Sequence, residues 1–110
     1  MAGLQDIEIT SSAFAEVVGA AGLPVVVDFW APWCGSCRLL APAVMRLSAE
    51  QGDRVRVLSL NVEAAPDIAE TYNVRSLPTI LVFQAGRETK RLTGVRNYGS
   101  LVAELEAVLN

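Results

Sequence analysis

Val25-Val26-Val27-Asp28-Phe29-Trp30-Ala31-Pro32-Trp33-Cys34-Gly35-Ser36-Cys37 decides how this chain is read. Its first six residues are β-branched or aromatic, without alternation and with a single carboxylate among them. That is the pattern of a central strand buried on both faces. Ala31-Pro32-Trp33 breaks the strand. A long helix is then expected from about Cys34 to Gln51, with Leu40, Val44 and Leu47 at helical spacing and Gly52 closing it. Pro42 lies inside and cannot donate to the carbonyl of Arg38, which predicts a kink. Two cysteines therefore fall where a buried strand hands over to a helix.

Outward from this stretch the elements alternate. Asp6-Ile7-Glu8-Ile9 reads as a short first strand, and Thr10, Ser11 and Ser12 offer N-caps for a helix carrying Phe14, Val17 and Val18. Downstream, Arg54 to Val62 is a second core strand, and a short helix with Pro66 in its first turn turns Ile68 and Tyr72 inward. Leu77 to Phe83 is a third long strand. Gln84-Ala85-Gly86-Arg87 forms a hairpin turn into Thr89-Lys90-Arg91-Leu92, charged enough for a sheet edge. A last helix after Asn97 carries Leu101, Val102, Leu105, Val108 and Leu109. The order βαβαβαββα gives an α/β fold, a mixed five-stranded sheet covered by helices on both faces.

Composition limits what such a fold does. At 110 residues the chain is one domain, 1–110, and 52 % hydrophobic residues with 19 % charged exclude a disordered chain. A net charge of −3, with eight Arg and the single Lys90 scattered, supplies no footprint for nucleic acid or an anionic membrane. No apolar run approaches the roughly 18 residues of a bilayer span. The opening Met1-Ala2-Gly3-Leu4-Gln5-Asp6 lacks the cationic and apolar blocks of a secretion signal, so a cytoplasmic protein is expected. There is no histidine, and only Cys34 and Cys37 are soft ligands, so no metal site is expected within one chain. Nothing demands a second copy, and a monomer is expected.

One cysteine pair two residues apart is no disulfide scaffold. At the N-cap, the Cys34 sulfur would accept bonds from the N–H groups of Ser36 and Cys37 at the positive end of the helix, all favouring thiolate. Cys37 follows one turn later, within disulfide reach and shielded. An exposed acidic sulfur beside a buried one is the arrangement of a nucleophile and a resolving thiol. Half of a metal site, or a cluster shared between two chains, is the competing reading, and the strand–helix context favours redox use. Asp28 six residues earlier suits proton transfer, though a carboxylate capping a backbone turn fits the residues equally well. Pro78 alone reads as a trans proline opening a strand, and Trp33 as a half-buried core residue.

Val27 to Arg38, then Pro42, Leu77-Pro78-Thr79 and Gly94, in this order and spread over nearly the whole chain, resemble the thioredoxin family. The resemblance implies the thioredoxin fold and a dithiol–disulfide oxidoreductase that reduces protein disulfides, needs no cofactor and is recycled by a thioredoxin reductase. Carried over, Cys34 attacks the substrate disulfide, Cys37 resolves the mixed disulfide, and Asp28 takes the proton of Cys37. Leu77–Pro78 becomes a cis step facing Cys34, and Trp33, Gly35, Ser36, Leu77, Pro78 and Gly94 become the substrate groove. Two departures stand out. Ser36 replaces the usual proline and adds a hydroxyl and an N–H near the sulfur, which should make the couple more oxidising. Ser59 stands where many members have Lys, leaving Asp28 without a positive neighbour and its pKa higher. Competing readings are a thiol oxidase or isomerase of the same fold, and a binding module whose dithiol is incidental.

Overall fold

A computed structural model describes residues 3–20 and 22–109. Four strands, β1 (Val25–Trp30), β2 (Arg56–Asn61), β3 (Thr79–Gln84) and β4 (Arg87–Thr93), form one sheet in the order β2-β1-β3-β4. β1 runs parallel to β2 and antiparallel to β3, and β3 runs antiparallel to β4. The helices are α1 (Ser11–Gly19), α2 (Gly35–Gln51), α3 (Pro66–Thr71), α4 (Tyr98–Glu104) and α5 (Glu106–Leu109).

The unalternating run of β1 is explained by what covers it. Val26, with Val57, Ile80, Val82 and Leu92 of its neighbours, packs under Leu40, Val44 and Leu47 of α2 and Leu101 of α4. Val25, Val27 and Phe29 face the other way, with Leu58, Leu60, Leu81 and Phe83, against Phe14 and Val18 of α1 and Tyr72 beside α3. Phe14 meets Phe83 edge to face at 5.7 Å between ring centroids, and Tyr72 meets Phe83 at 5.2 Å. Each such pair adds about 0.5–1.5 kcal/mol beyond the area it buries.

The sheet has four strands, not five. Asp6-Ile7-Glu8-Ile9 is not a strand: Leu4–Ile7 is a 3-10 helix, and the segment meets the sheet at Ser59, through an isolated parallel bridge from Glu8 in which the Ile9 N–H donates to the Ser59 carbonyl at 2.8 Å. The cause is local. The Asp6 carboxylate accepts the Gly3 N–H at 2.6 Å and the Asp6 N–H donates to the Gly3 carbonyl at 2.9 Å, closing a turn that competes with a ladder. Leu4 then enters the core while Ile7 stays half-buried.

Smaller departures have equally plain reasons. The last helix is broken at Leu105, whose φ of −100° and ψ of 8° separate α4 from α5 while its side chain stays buried. Gly52 closes α2 in a right-handed conformation, so it is not a left-handed cap. A Cβ there would lie 2.7 Å from the Ser48 carbonyl oxygen, and that close approach is what needs glycine. Pro42 lies inside α2 without ending it.

The β3–β4 turn is Ala85-Gly86, both at positive φ (52° and 80°), between the paired Gln84 and Arg87. A two-residue turn of this hand matches the strand twist but favours Asn-Gly over Ala-Gly. Ala85→Asn is therefore expected to raise stability by about 0.5–1 kcal/mol. Urea unfolding with an unchanged m-value checks it; a lower midpoint would count against the strain assigned to Ala85.

Candidate active site

β1 ends at Trp30, and the Cys34 N–H donates to the Ala31 carbonyl at 3.1 Å, folding Ala31–Cys34 into the turn that starts α2. Cys34 is the N-cap of α2, and its sulfur accepts the Cys37 N–H at 3.2 Å. The two cysteines form a disulfide with Cα atoms 5.3 Å apart. The Ser36 hydroxyl lies 3.4 Å from the Cys34 sulfur and donates to the Leu77 carbonyl, also at 3.4 Å. From sequence, the N–H groups of both Ser36 and Cys37 are expected on the sulfur. Among the described hydrogen bonds the Ser36 N–H makes none to it, and the hydroxyl supplies the second polar contact instead.

Cys34 is also less open than its expected role as the exposed sulfur implies. It is 5 % exposed against 1 % for Cys37, because Ala31, Trp30, Val62 and Leu77 close around the disulfide. The contrast between the two thiols is one of degree.

Asp28 sits in mid-strand, fully buried, and neither carboxylate oxygen has a hydrogen-bond partner. That removes the turn-capping alternative. Burial pushes its carboxyl up from 3.8 to about 8. Ser59 faces it in register across β2, but its hydroxyl donates to the Leu4 carbonyl at 2.6 Å. No hydrogen bond links Asp28 to either cysteine.

The Leu77–Pro78 bond is cis and lies just ahead of β3, which starts at Thr79 and not at Leu77. The Gly94 N–H donates to the Pro78 carbonyl at 3.0 Å, and Gly94 has a φ of +88° that a side chain would strain. Trp33 is 65 % exposed, so it is not a core residue. With Leu77 it lines a groove of about 380 Å³ whose other walls are Val62, Pro66, Ala69, Glu70, Val74 and Arg75. Gly35 opens α2 with nothing within 4 Å of where a Cβ would stand. Cys34, Cys37, Ser36 and Leu77 are thus in mutual contact, Trp33 and Leu77 share a groove, and Gly94 backs Pro78.

From sequence, Val62 reads only as a strand residue and Pro66 only as a helix residue, and Val74 is not singled out. Nothing local marks them, since they reach Trp33 only through the fold. A separate crevice of about 270 Å³, lined among others by Leu4, Gln5, Trp30 and Arg38, opens on Cys37.

Residues 5–107 match the thioredoxin family model. The chain belongs to the thioredoxin family. It is 38 % identical over 102 residues to the chloroplastic M-type thioredoxin of Chlamydomonas reinhardtii, covering 93 % of this chain and 73 % of that protein. It is 37 % identical over 103 residues to the bifunctional thioredoxin reductase/thioredoxin of Mycobacterium leprae, covering 94 % of this chain but only 22 % of that protein. Thioredoxin of Malassezia sympodialis, Mala s 13, superposes with a TM-score of 0.83 at 28 % identity, covering 92 % of this chain and 89 % of that one. Family and disulfide together make this chain a protein-disulfide oxidoreductase whose working couple is Cys34–Cys37.

Proposed function

We propose that the reduced chain attacks substrate disulfides through the Cys34 thiolate. The attack forms a Cys34–substrate disulfide and releases one substrate thiolate. Cys37, deprotonated by Asp28, then attacks the Cys34 sulfur, expelling the second substrate thiolate and closing the Cys34–Cys37 disulfide. Two electrons pass to the substrate, and a thioredoxin reductase returns them. The observation that carries these roles is the Cys37 N–H on the Cys34 sulfur at the N-terminus of α2. The fused reductase of the Mycobacterium leprae relative supports the proposed partner.

Trp33, Gly35, Ser36, Leu77, Pro78 and Gly94 are proposed to receive an extended segment of the substrate along the groove. The chain acts as a single domain and a monomer, in a reducing compartment such as the cytoplasm, where a lone reactive pair stays available. A more oxidising role gains weight from one contact, the Ser36 hydroxyl beside the Cys34 sulfur.

The reduction potential tests these readings, taken from thiol buffers with Trp30 and Trp33 fluorescence as the signal. A value near about −270 mV supports a general reductase, and one near about −200 mV or above an isomerase-like or glutathione-linked role. Ser36→Pro removes a hydroxyl 3.4 Å from the Cys34 sulfur that is expected to turn from the Leu77 carbonyl to the thiolate once the disulfide opens, so its potential is expected about 30 mV more negative, equivalent to about 1.4 kcal/mol. An unchanged or less negative potential would remove Ser36 from the account.

A further inference from the structure

β4 carries a side-chain cluster that the disulfide chemistry leaves unused. Along the β3–β4 ladder Val82 pairs with Lys90, yet its neighbour Phe83 pairs with Glu88, so Thr89 is an extra residue and the strand bulges. Residues three apart on a regular strand point to opposite faces. The bulge brings Glu88 and Arg91 to the same face, that of their partners Phe83 and Leu81, on which Phe14 of α1 and Ile68 of α3 pack. There the Arg91 guanidinium grips Glu88 with two bonds of 2.9 Å. It also donates to the Tyr72 carbonyl at 2.6 Å and the Asn73 carbonyl at 3.3 Å.

Those two carbonyls belong to the turn that ends α3. Asn73 is left-handed (φ 54°), its N–H donates to the Glu70 carbonyl at 3.0 Å, and the Val74 N–H donates to the Ala69 carbonyl at 2.9 Å. This double closure satisfies the helix end but leaves the Tyr72 and Asn73 carbonyls facing outward. Arg91 takes both. The Asn73 side-chain oxygen in turn accepts the Arg75 Nε–H at 2.7 Å. Val74, Arg75 and Leu77, the next residues along the chain, form one wall of the groove beside Trp33.

We propose that Arg91, aimed by the bulge at Thr89, is a positioning residue for substrate binding. It fixes the Tyr72–Arg75 turn and thereby the wall of the groove, while touching neither sulfur nor substrate. The inference rests on the groove reading above. A guanidinium that merely capped α3 would affect stability alone; one that sets the groove affects long substrates and spares small ones.

The experiment compares wild type, Arg91→Ala and Val74→Glu on insulin with dithiothreitol as reductant and, in single turnover with the prereduced protein as the only thiol, on a small aromatic disulfide that needs no groove. For Arg91→Ala, KM for insulin should rise about five- to tenfold. Its rate on the small disulfide and its potential should stay within about twofold of wild type. Val74→Glu, which puts a carboxylate in the apolar part of the wall, should raise KM for insulin at least as much. A raised KM in Val74→Glu but not in Arg91→Ala overturns the role of Arg91 and keeps the groove; no change in either overturns the groove reading itself. Equal losses on both substrates in Arg91→Ala also overturn the proposal. Should Arg91→Ala fail to fold, Glu88→Gln, which loosens the guanidinium without removing it, carries the same expectation at smaller size.

Discussion

Cys37→Ser is expected to leave the first attack intact and to trap the substrate on Cys34, whereas Cys34→Ser abolishes disulfide reduction, by on the order of a thousandfold or more. The asymmetry follows from where the helix begins. The Cys34 sulfur caps α2 and accepts the Cys37 N–H, so its charge is stabilised before any substrate arrives. Cys37 is one turn inside and almost fully buried, and its deprotonation needs a base. Serine at 37 preserves the backbone donor but supplies no second thiolate, so the mixed disulfide has no exit. Non-reducing mass spectrometry of Cys37→Ser with a protein disulfide substrate should show one stoichiometric adduct on Cys34. An adduct forming equally fast on Cys37 in the Cys34→Ser protein would reverse the assigned roles. Both variants must first be shown to fold, because a buried hydroxyl without a partner costs about 1–3 kcal/mol.

Asp28→Asn is expected to flatten the pH dependence of stability and to slow the resolving step more than the first attack. Burial lifts the Asp28 carboxyl from 3.8 in the unfolded chain to about 8 in the fold. Between those values the native protein holds a proton that the unfolded chain has released. Native protein therefore binds more protons, and stability falls as pH rises through that window, being fully retained only below about pH 4. The loss approaches on the order of 5 kcal/mol by the upper end of the window. Asparagine does not titrate, so the variant gains on wild type progressively from pH 5 to pH 9. Urea unfolding of both proteins with the disulfide closed, which keeps the cysteines from titrating, measures this directly. Parallel curves would mean that Asp28 is ionised and satisfied in the fold. In stopped-flow reduction, equal slowing of both thiol steps would remove Asp28 as the base for Cys37.

Much of this was legible in the sequence because it depends on short-range patterns. The unalternating Val25–Phe29 run announced a strand covered on both sides, and Cys34 as the helix N-cap followed from the strand–helix boundary. The start of the last helix just after Asn97 was legible too, and Asn97 caps it by accepting the Ser100 N–H at 2.8 Å. What escaped depends on competition or distance. Asp6–Ile9 alternates like a strand, yet the Asp6 carboxylate captures the Gly3 N–H and turns the chain. Leu105 fits the apolar stripe of one helix while its backbone divides it into two. The groove wall at Val62, Pro66 and Val74 exists only once α3 is laid beside Trp33. Arg91 was least readable of all: its face is set by a register shift at Thr89, which no local pattern of charges encodes.

The disulfide joins residues only three apart in the chain. A ring that small removes little freedom from the unfolded ensemble, about 2 kcal/mol by loop-closure scaling against about 4.7 kcal/mol for a hundred-residue loop. Opening it therefore withdraws little of the fold's support, and both oxidation states can share one architecture. A protein that gains and loses this bond at every turnover should thereby be spared a cycle of loosening and repacking, with its groove expected to be as well formed when it meets an oxidised substrate as when it returns for electrons.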